Sequence, residues 1–265
     1  MPRKQAWVEN SSVMSDWLDA ILHAARRGKL LIAGFVHRGS GLIRMRLSSA
    51  EGGWFDLTRR VETGGFIQLH TLTLNSIAKS GFDYLATRPT RARQMFRALP
   101  VRDYSDYAFI DLGSGKGRML FLAAEHPFLR ITGVEFAVEL HQRTLRNIER
   151  YNRFKCQCRH IESLNLDASE YRFPSLNLVV YLYNPFGFDV MECVLGNLIT
   201  AMRDQSHHVI FAVMNPEVVL PPSALTWLQP HQQNRRFHVY QNYRTKDREK
   251  PTGCTELPSD DTRRT

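Results

Sequence analysis

The chain has 265 residues, with 35 Lys or Arg against 26 Asp or Glu and a formal net charge of +9. This length fits one large domain, or one domain with an appendage, because domains commonly hold about 100–200 residues. An apolar fraction of 43% and a charged fraction of 23% exclude wholesale disorder. Four cysteines are too few for a disulfide scaffold and predict a reduced, cytoplasmic environment.

The positive charge predicts an anionic partner, nucleic acid above all, although a protein with a merely basic surface fits equally well. The longest apolar runs, at residues 30–36 and 178–183, are far shorter than the roughly 20 residues that cross a bilayer. No apolar segment follows the basic start, so neither a signal peptide nor a membrane partner is expected. The His and Cys spacings match no metal site.

The first third of the chain differs in pattern from the rest. Residues 12–27 have the spacing of an amphipathic helix, and two apolar runs around a Gly-Ser-Gly tip then predict a hairpin. Residues 66–99 are predicted to be mainly helical, with breaks near Gly81 and Pro89. We therefore expect an N-terminal helical and hairpin cap over residues 1–100, which is a candidate substrate region.

Apolar strands alternate with helices after this region. The predicted strands cover residues 108–112, 130–135, 158–163, 176–183 and 207–214, and the predicted helices lie between them, with amphipathic examples at 137–151 and 190–202. This alternation predicts an α/β fold, in which helices cover both faces of a parallel sheet. Segments 225–228 and 237–243 fit an antiparallel pair at the sheet edge. Residues 244–265 are rich in charge and predict a disordered tail.

The most distinctive motif is Asp111-Leu112-Gly113-Ser114-Gly115-Lys116-Gly117, between a strand and a helix. Glycines let the backbone approach a ligand because no Cβ intervenes, and the helix N-terminus adds donors. A P-loop is excluded, because Lys116 is followed by Gly117 rather than by Ser or Thr. A dinucleotide fingerprint is disfavoured, because Arg118 stands where Gly or Ala is required.

The pattern Asp-x-Gly-x-Gly-x-Gly resembles the first motif of class I methyltransferases that use S-adenosylmethionine (SAM). The resemblance implies a Rossmann-like, seven-stranded, mostly parallel sheet with an antiparallel last strand, and a SAM-binding domain over residues 101–243. It implies cofactor contacts from five residues of the loop, namely Asp111, Gly113, Ser114, Gly115 and Gly117. Alanine at Gly113 or Gly115 is expected to clash with the ligand or with the backbone of the loop.

Two later acids resemble the ribose and adenine contacts of the same family. Glu135 ends the second strand of the domain, where a carboxylate can accept hydrogen bonds from both ribose hydroxyls. Phe136 follows and is a candidate for packing on adenine. Asp167-Ala168 resembles the family's acid–small pair, whose carboxylate accepts the adenine amino group, whereas an Asx-turn is the alternative.

Asn184, Pro185 and Phe186 follow the fourth strand and resemble the Asn/Asp-Pro-Pro-Tyr/Phe motif of amino-methyltransferases. The resemblance implies that these three residues are catalytic, with the Asn184 amide oxygen orienting an amine and the ring packing against it. Phe186 departs from the motif, which has a second Pro there. The implied activity is methyl transfer to an amine nitrogen of protein lysine, RNA or a small molecule.

Other resemblances and alternatives remain open. Residues 105–190 are remotely similar to the Dot-family lysine methyltransferases, and the Asp-Leu-Gly-Ser-Gly-Lys-Gly-Arg and Asn-Pro-Phe motifs resemble a group of bacterial proteins. Segments before the glycine loop often cover SAM in this family, which makes lid candidates of four upstream residues, Glu62, Thr63, Tyr84 and Thr87. The alternatives are a SAM-fold binding protein without turnover, associated with nucleic acid, and a nicotinamide oxidoreductase.

Overall fold

The structure is a computed structural model, and it describes residues 50–68, 83–183, 186–203, 207–214 and 220–242. The predicted helix at 12–27, the predicted hairpin and the predicted tail lie outside the described residues. The chain divides into two compact units, residues 1–50 and 51–265, and the second contains the described sheet. Among the described helices, none has the length and the apolar character that a membrane crossing requires.

Nine strands are described, and seven of them form one sheet. The strands are β1 (Phe66–Ile67), β2 (Tyr84–Leu85), β3 (Tyr107–Leu112), β4 (Arg130–Glu135), β5 (Ile161–Asn165), β6 (Asn177–Leu182), β7 (Val209–Val213), β8 (Leu228–Gln233) and β9 (His238–Asn242). The order in the large sheet is β5-β4-β3-β6-β7-β9-β8. Strands β3 to β7 are parallel, and β9 runs antiparallel to both β7 and β8. The predicted α/β, Rossmann-like sheet with an antiparallel last strand is thereby confirmed.

Helices connect the parallel strands and cover the sheet. They are α1 (residues 50–59), α2 (Pro89–Ala98), α3 (Arg118–Ala123), α4 (Val138–Arg150), α5 (Phe188–Ala201) and α6 (Pro222–Leu225). Buried side chains of α2 and α3 share one core with Phe109 of β3, whereas α5 packs on the opposite face with Ile110. Strand β3 is therefore buried on both faces, as expected for a central parallel strand.

Two predicted segments differ from the structure. Within the stretch 66–99 that was predicted to be mainly helical, residues 69–82 lie outside the described residues. Of the rest, β1 and β2 pair as a short antiparallel ribbon, and helix occurs only in α2. The strand predicted at 225–228 starts only at Leu228, because Leu225 ends helix α6. Pro222 has the backbone angle that a helix start requires, and this favours helix over strand there. The β1–β2 pairing joins distant residues, which local periodicity does not reveal.

Candidate functional site

The carboxyl ends of β3 and β6 form the point at which the strand order reverses direction. Ligands of open α/β sheets bind at such a point, outside the carboxyl ends of the strands. The glycine loop follows β3 directly, and Asp111 is the register partner of Tyr181 on β6. Of the predicted catalytic residues, Asn184 and Pro185 lie outside the described residues, and Phe186 is half-buried against the core on the α5 face.

The three glycines of the loop have left-handed backbone angles, with φ of 80° at Gly113, 56° at Gly115 and 84° at Gly117. Such angles favour glycine. A Cβ on Gly115 would lie 2.1 Å from Cε2 of Tyr84, and one on Gly117 would lie 2.8 Å from Cγ2 of Thr144. Among the described residues the obstacle at Gly115 is thus the Tyr84 ring and not the backbone of the loop, whereas the expected clash with the ligand stays a prediction.

Ser114 is buried in the floor of the loop. Its backbone N–H donates to Val134 O at 3.0 Å, and its Oγ has no hydrogen-bond partner among the described residues. A Cβ on Gly133 of β4 would lie 2.8 Å from Ser114 Oγ. Gly133 therefore gives the loop room to cross over β4, which explains glycine in the predicted Gly133-Val134-Glu135 segment.

Glu135 holds the glycine loop from the end of β4. Its Oε2 accepts a hydrogen bond from the Gly115 N–H at 2.8 Å, and its Oε1 accepts one from the Ala137 N–H at 2.9 Å. Only 4% of the residue is exposed, and this burial raises the pKa of Glu135 to about 7. Each carboxylate oxygen has a second lone pair, so the predicted ribose contact is compatible with both loop bonds.

Asp111 is a buried carboxyl group beside the loop. It is 3% exposed. Burial, and secondarily the charge of Glu135, raises the pKa of Asp111 well above its ordinary value. A buried carboxylate beside a second carboxylate is costly, so a positively charged group next to Asp111 would stabilise it.

The predicted adenine contacts form a tight turn after β5. Asp167 Oδ1 accepts hydrogen bonds from Ser169 N at 2.8 Å and from Ser169 Oγ at 2.6 Å, which caps the short helical turn Ala168–Glu170. This is the Asx-turn that the sequence left as the alternative, and Oδ2 takes no part in it. Phe136 is half-buried, and its carbonyl accepts Asn165 Nδ2 at 3.0 Å.

Arg118 joins the glycine loop to the segment upstream of the sheet. Its Nε donates to Thr63 Oγ1 at 2.7 Å, and its Nη2 lies 3.4 Å from Asp56 Oδ1. Asp56 Oδ2 in turn accepts the N–H groups of Thr63 and Gly64. In the sequence, Arg118 served only to disfavour a dinucleotide site, and this structural role was not predicted. An arginine that opens an otherwise apolar helix indicates a buried carboxylate partner.

The upstream lid candidates lie beside the loop, with one exception. Tyr84 OH donates to Thr63 O at 2.7 Å, and Lys116 Nζ lies over the Tyr84 ring, 5.2 Å from its centre. Thr87 Oγ1 lies 2.7 Å from the hydroxyl of Tyr181. Glu62 differs, because its side chain is 80% exposed and pairs with an arginine of α4.

Helix α4 presents polar side chains to the loop. Thr144 Oγ1 donates to Gly115 O at 2.8 Å, and Asn147 Nδ2 donates to Lys116 O at 3.0 Å. The apolar positions of the amphipathic helix predicted at 137–151 are Leu140, Leu145 and Ile148, but Leu145 is 41% exposed. Buried carbonyl groups of the loop require hydrogen-bond donors, which explains why Thr144 and Asn147 occupy the face of α4 that packs against the loop.

No protein-family model and no curated protein matches the chain. Solved structures with a similar fold include the 23S rRNA methyltransferase ErmE, with 11% identity over 61% of this chain and 69% of that one, at a TM-score of 0.42. An RNA methyltransferase from Salinibacter ruber, in complex with S-adenosyl-L-homocysteine, has 19% identity over 65% of this chain and 100% of that one, at a TM-score of 0.39. A predicted N6-adenine-specific DNA methylase from Listeria monocytogenes has 13% identity, with a TM-score of 0.42. The match covers 60% of this chain and 52% of the methylase, so this chain spans about half the length of that protein.

Proposed function

We propose that the chain is a SAM-dependent methyltransferase whose cofactor lies over the carboxyl ends of β3 and β4. The observation that carries this proposal is Asp111, a buried carboxyl group at the end of β3, beside a loop with three left-handed glycines. SAM carries an ammonium and a sulfonium, and their positive charge would stabilise this carboxylate. A dinucleotide would instead bring its negative pyrophosphate to the same loop.

The residues around the loop fit the remaining parts of SAM. The backbone of Gly113 is exposed at the end of β3 and is open to a ligand. Glu135 has lone pairs left for the ribose hydroxyls, and Asp167 Oδ2 and Phe136 are available for adenine. Thr63, Tyr84 and Thr87 would cover the methionine end of SAM. Tyr84 contacts Lys116 of the loop, Thr63 contacts Arg118 directly after the loop, and Thr87 contacts Tyr181 of the neighbouring strand.

The acceptor is an amine nitrogen, according to the resemblance of the segment after β6. SAM, when bound, would supply a methyl group on a positively charged sulfur, which leaves as the methyl group passes to the nitrogen lone pair. Asn184 would accept an N–H of the amine through its amide oxygen and so orient the lone pair. Phe186 would pack against the nitrogen as it gains positive charge. Protein lysine, as in the Dot family, RNA and a small amine are all chemically suitable acceptors.

Calorimetric titration with SAM and, separately, with NADH tests the cofactor. The protein should bind SAM, and Asp111→Asn, which keeps the shape but removes the charge, should weaken binding about 10-fold or more. Asp106→Asn changes an exposed aspartate before the same strand and should leave the affinity unchanged. Preferential NADH binding, or equal SAM affinity in the Asp111 variant, would refute the cofactor assignment.

Turnover is tested with radiolabelled SAM and a cell lysate that is afterwards separated into protein, RNA and small-molecule fractions. Label in one fraction identifies the class of acceptor. Tight SAM binding without label in any fraction would favour a binding protein that keeps the fold but does not transfer the methyl group.

A further inference from the structure

A second surface feature lies between α1, the start of α2 and the turn after α4. It is a groove of about 510 Å³, here named the Trp54–Phe154 groove. The residues that line it are Glu51, Trp54, Phe55, Thr58, Arg59, Pro89, Arg93, Glu125, Phe154 and Lys155. None of these residues belongs to the glycine loop, so the groove is separate from the proposed cofactor site.

Two large aromatic side chains of this groove face solvent. Trp54 is 70% exposed and Phe154 is 83% exposed. They come from segments that are held together, because the N–H of Asn152 donates to Arg59 O at 2.8 Å and Asn152 Nδ2 contacts Thr58 O at 3.4 Å. Burial of such rings is favourable, so two exposed rings at one groove indicate a surface for a ligand with flat apolar faces.

The charges of the groove favour an anion. Glu125 is already paired with Arg59 at 2.5 Å and with Arg93 at 3.0 Å, so this cluster keeps a net positive charge. The other carboxylate, Glu51, is paired with Arg88 at 3.2 Å. Lys155 is exposed, and the segment 152–160 around it contains three basic residues and no acidic residue.

We propose that the Trp54–Phe154 groove binds single-stranded nucleic acid. Bases stack on Trp54 and Phe154, while Arg93 and Lys155 contact phosphates, which is the combination that single-strand sites use. An acidic peptide would satisfy the charges but would leave the flat faces of the two rings without a matching partner. A duplex would keep its bases stacked on one another and would not offer them to the rings.

The groove is connected to the proposed cofactor site by a short stretch of chain. Arg59 lines the groove, and Gly64 O accepts a hydrogen bond from Lys116 Nζ in the glycine loop. The five residue-to-residue steps from Arg59 to Gly64 span at most about 18 Å. A nucleic-acid strand bound in the groove would therefore be long enough to reach the cofactor site. Binding of the strand is independent of the proposed function, whereas its role as methyl acceptor rests on that function.

Binding is tested by fluorescence anisotropy of labelled oligouridine in the absence of SAM. Trp54→Ala and Phe154→Ala should each weaken binding roughly 5- to 100-fold, the cost of losing one stacked base. Trp54→Phe should keep most of the affinity, whereas Trp54→Leu, which retains apolar area but no aromatic face, should not. Lys155→Ala should lower the slope of log affinity against log salt by about 0.7, the value for one phosphate contact.

Two variants on the α5 side of the sheet, away from the groove, serve as matched controls. Leu225→Ala removes an exposed apolar side chain and Arg203→Ala removes an exposed cation, and both should bind like the wild type. The proposal fails if the wild type does not bind oligouridine, if polyglutamate competes equally well, or if Trp54→Leu keeps full affinity. Because the oligouridine experiment contains no SAM, its failure would not contradict the methyltransferase proposal. In the same way, a failure to bind SAM would not contradict the proposed binding of nucleic acid in the groove.

Discussion

Arg118 Nη2 lies 3.4 Å from Asp56 Oδ1, and this ion pair joins the helix after the glycine loop to the helix upstream of the sheet. The side chain of Arg118 is 4% exposed and that of Asp56 is 17% exposed. The Asp56 carboxylate also accepts two hydrogen bonds from Thr63, one from the hydroxyl at 2.5 Å and one from the backbone N–H at 2.9 Å. One carboxylate therefore neutralises a buried cation and shapes the segment that covers the loop.

Asp56→Ala should lower the free energy of unfolding by about 3 kcal/mol, because it leaves the guanidinium of Arg118 buried without its partner. Urea denaturation measures this change. The control is Asp103→Ala, which removes an exposed cap of a single turn and should cost clearly less than Asp56→Ala. Equal losses in the two variants would mean that the Arg118–Asp56 pair does not hold the segment.

Gly115→Ala should destabilise the protein, since its Cβ would meet the Tyr84 ring and φ is 56°. The same substitution at Gly196, within α5 and with nothing near the new Cβ, should stabilise by about 0.5–1 kcal/mol. Thermal unfolding of both variants tests this contrast. Adding Tyr84→Ala to Gly115→Ala should recover part of the loss, and strict additivity of the two changes would contradict the contact.

The stability of the ligand-free protein should depend on Glu135. Its pKa of about 7 in the folded protein lies above the ordinary value of 4.5, so the folded state retains the proton over this range. The resulting stabilisation is complete below about pH 4.5 and is lost as the pH rises through about 7. Asp111 is shifted in the same direction.

Glu135→Gln should therefore lose less stability than the wild type when the pH rises across this range, as urea denaturation at both ends would show. Glu192→Gln, at an exposed position of α5, should follow the wild-type pH profile. Identical profiles for the wild type and Glu135→Gln would mean that Glu135 is already ionised well below pH 7.

Asn184→Ala should lower kcat by roughly 100-fold and leave SAM affinity nearly unchanged, because an interaction that strengthens as the nitrogen gains charge acts mainly in the transition state. Asn184→Asp still accepts a hydrogen bond and should keep partial activity. Steady-state kinetics and SAM calorimetry separate the two effects. Loss of SAM binding with normal residual chemistry would instead make Asn184 a cofactor contact.

The sequence alone predicted the α/β fold, the alternation of strands and helices after residue 107, and the antiparallel last strand. Burial against a sheet imposes periodicities of 2 and 3.6 residues on nearby positions, and these periodicities can be read along the chain. The glycine loop was predictable for the same local reason, because left-handed backbone angles at Gly113, Gly115 and Gly117 require a particular residue type at each position.

The tertiary structure alone decided which distant groups meet. The β1–β2 ribbon, the Arg118–Asp56 pair and the inner face of α4 each join residues that are far apart in the chain. Thr144 and Asn147 interrupt an apolar pattern because the loop carbonyls above them need donors, and this need exists only once the loop is folded. Burial, which depends on every packed neighbour at once, also decided that Asp111 and Glu135 hold their protons more tightly than exposed acids do.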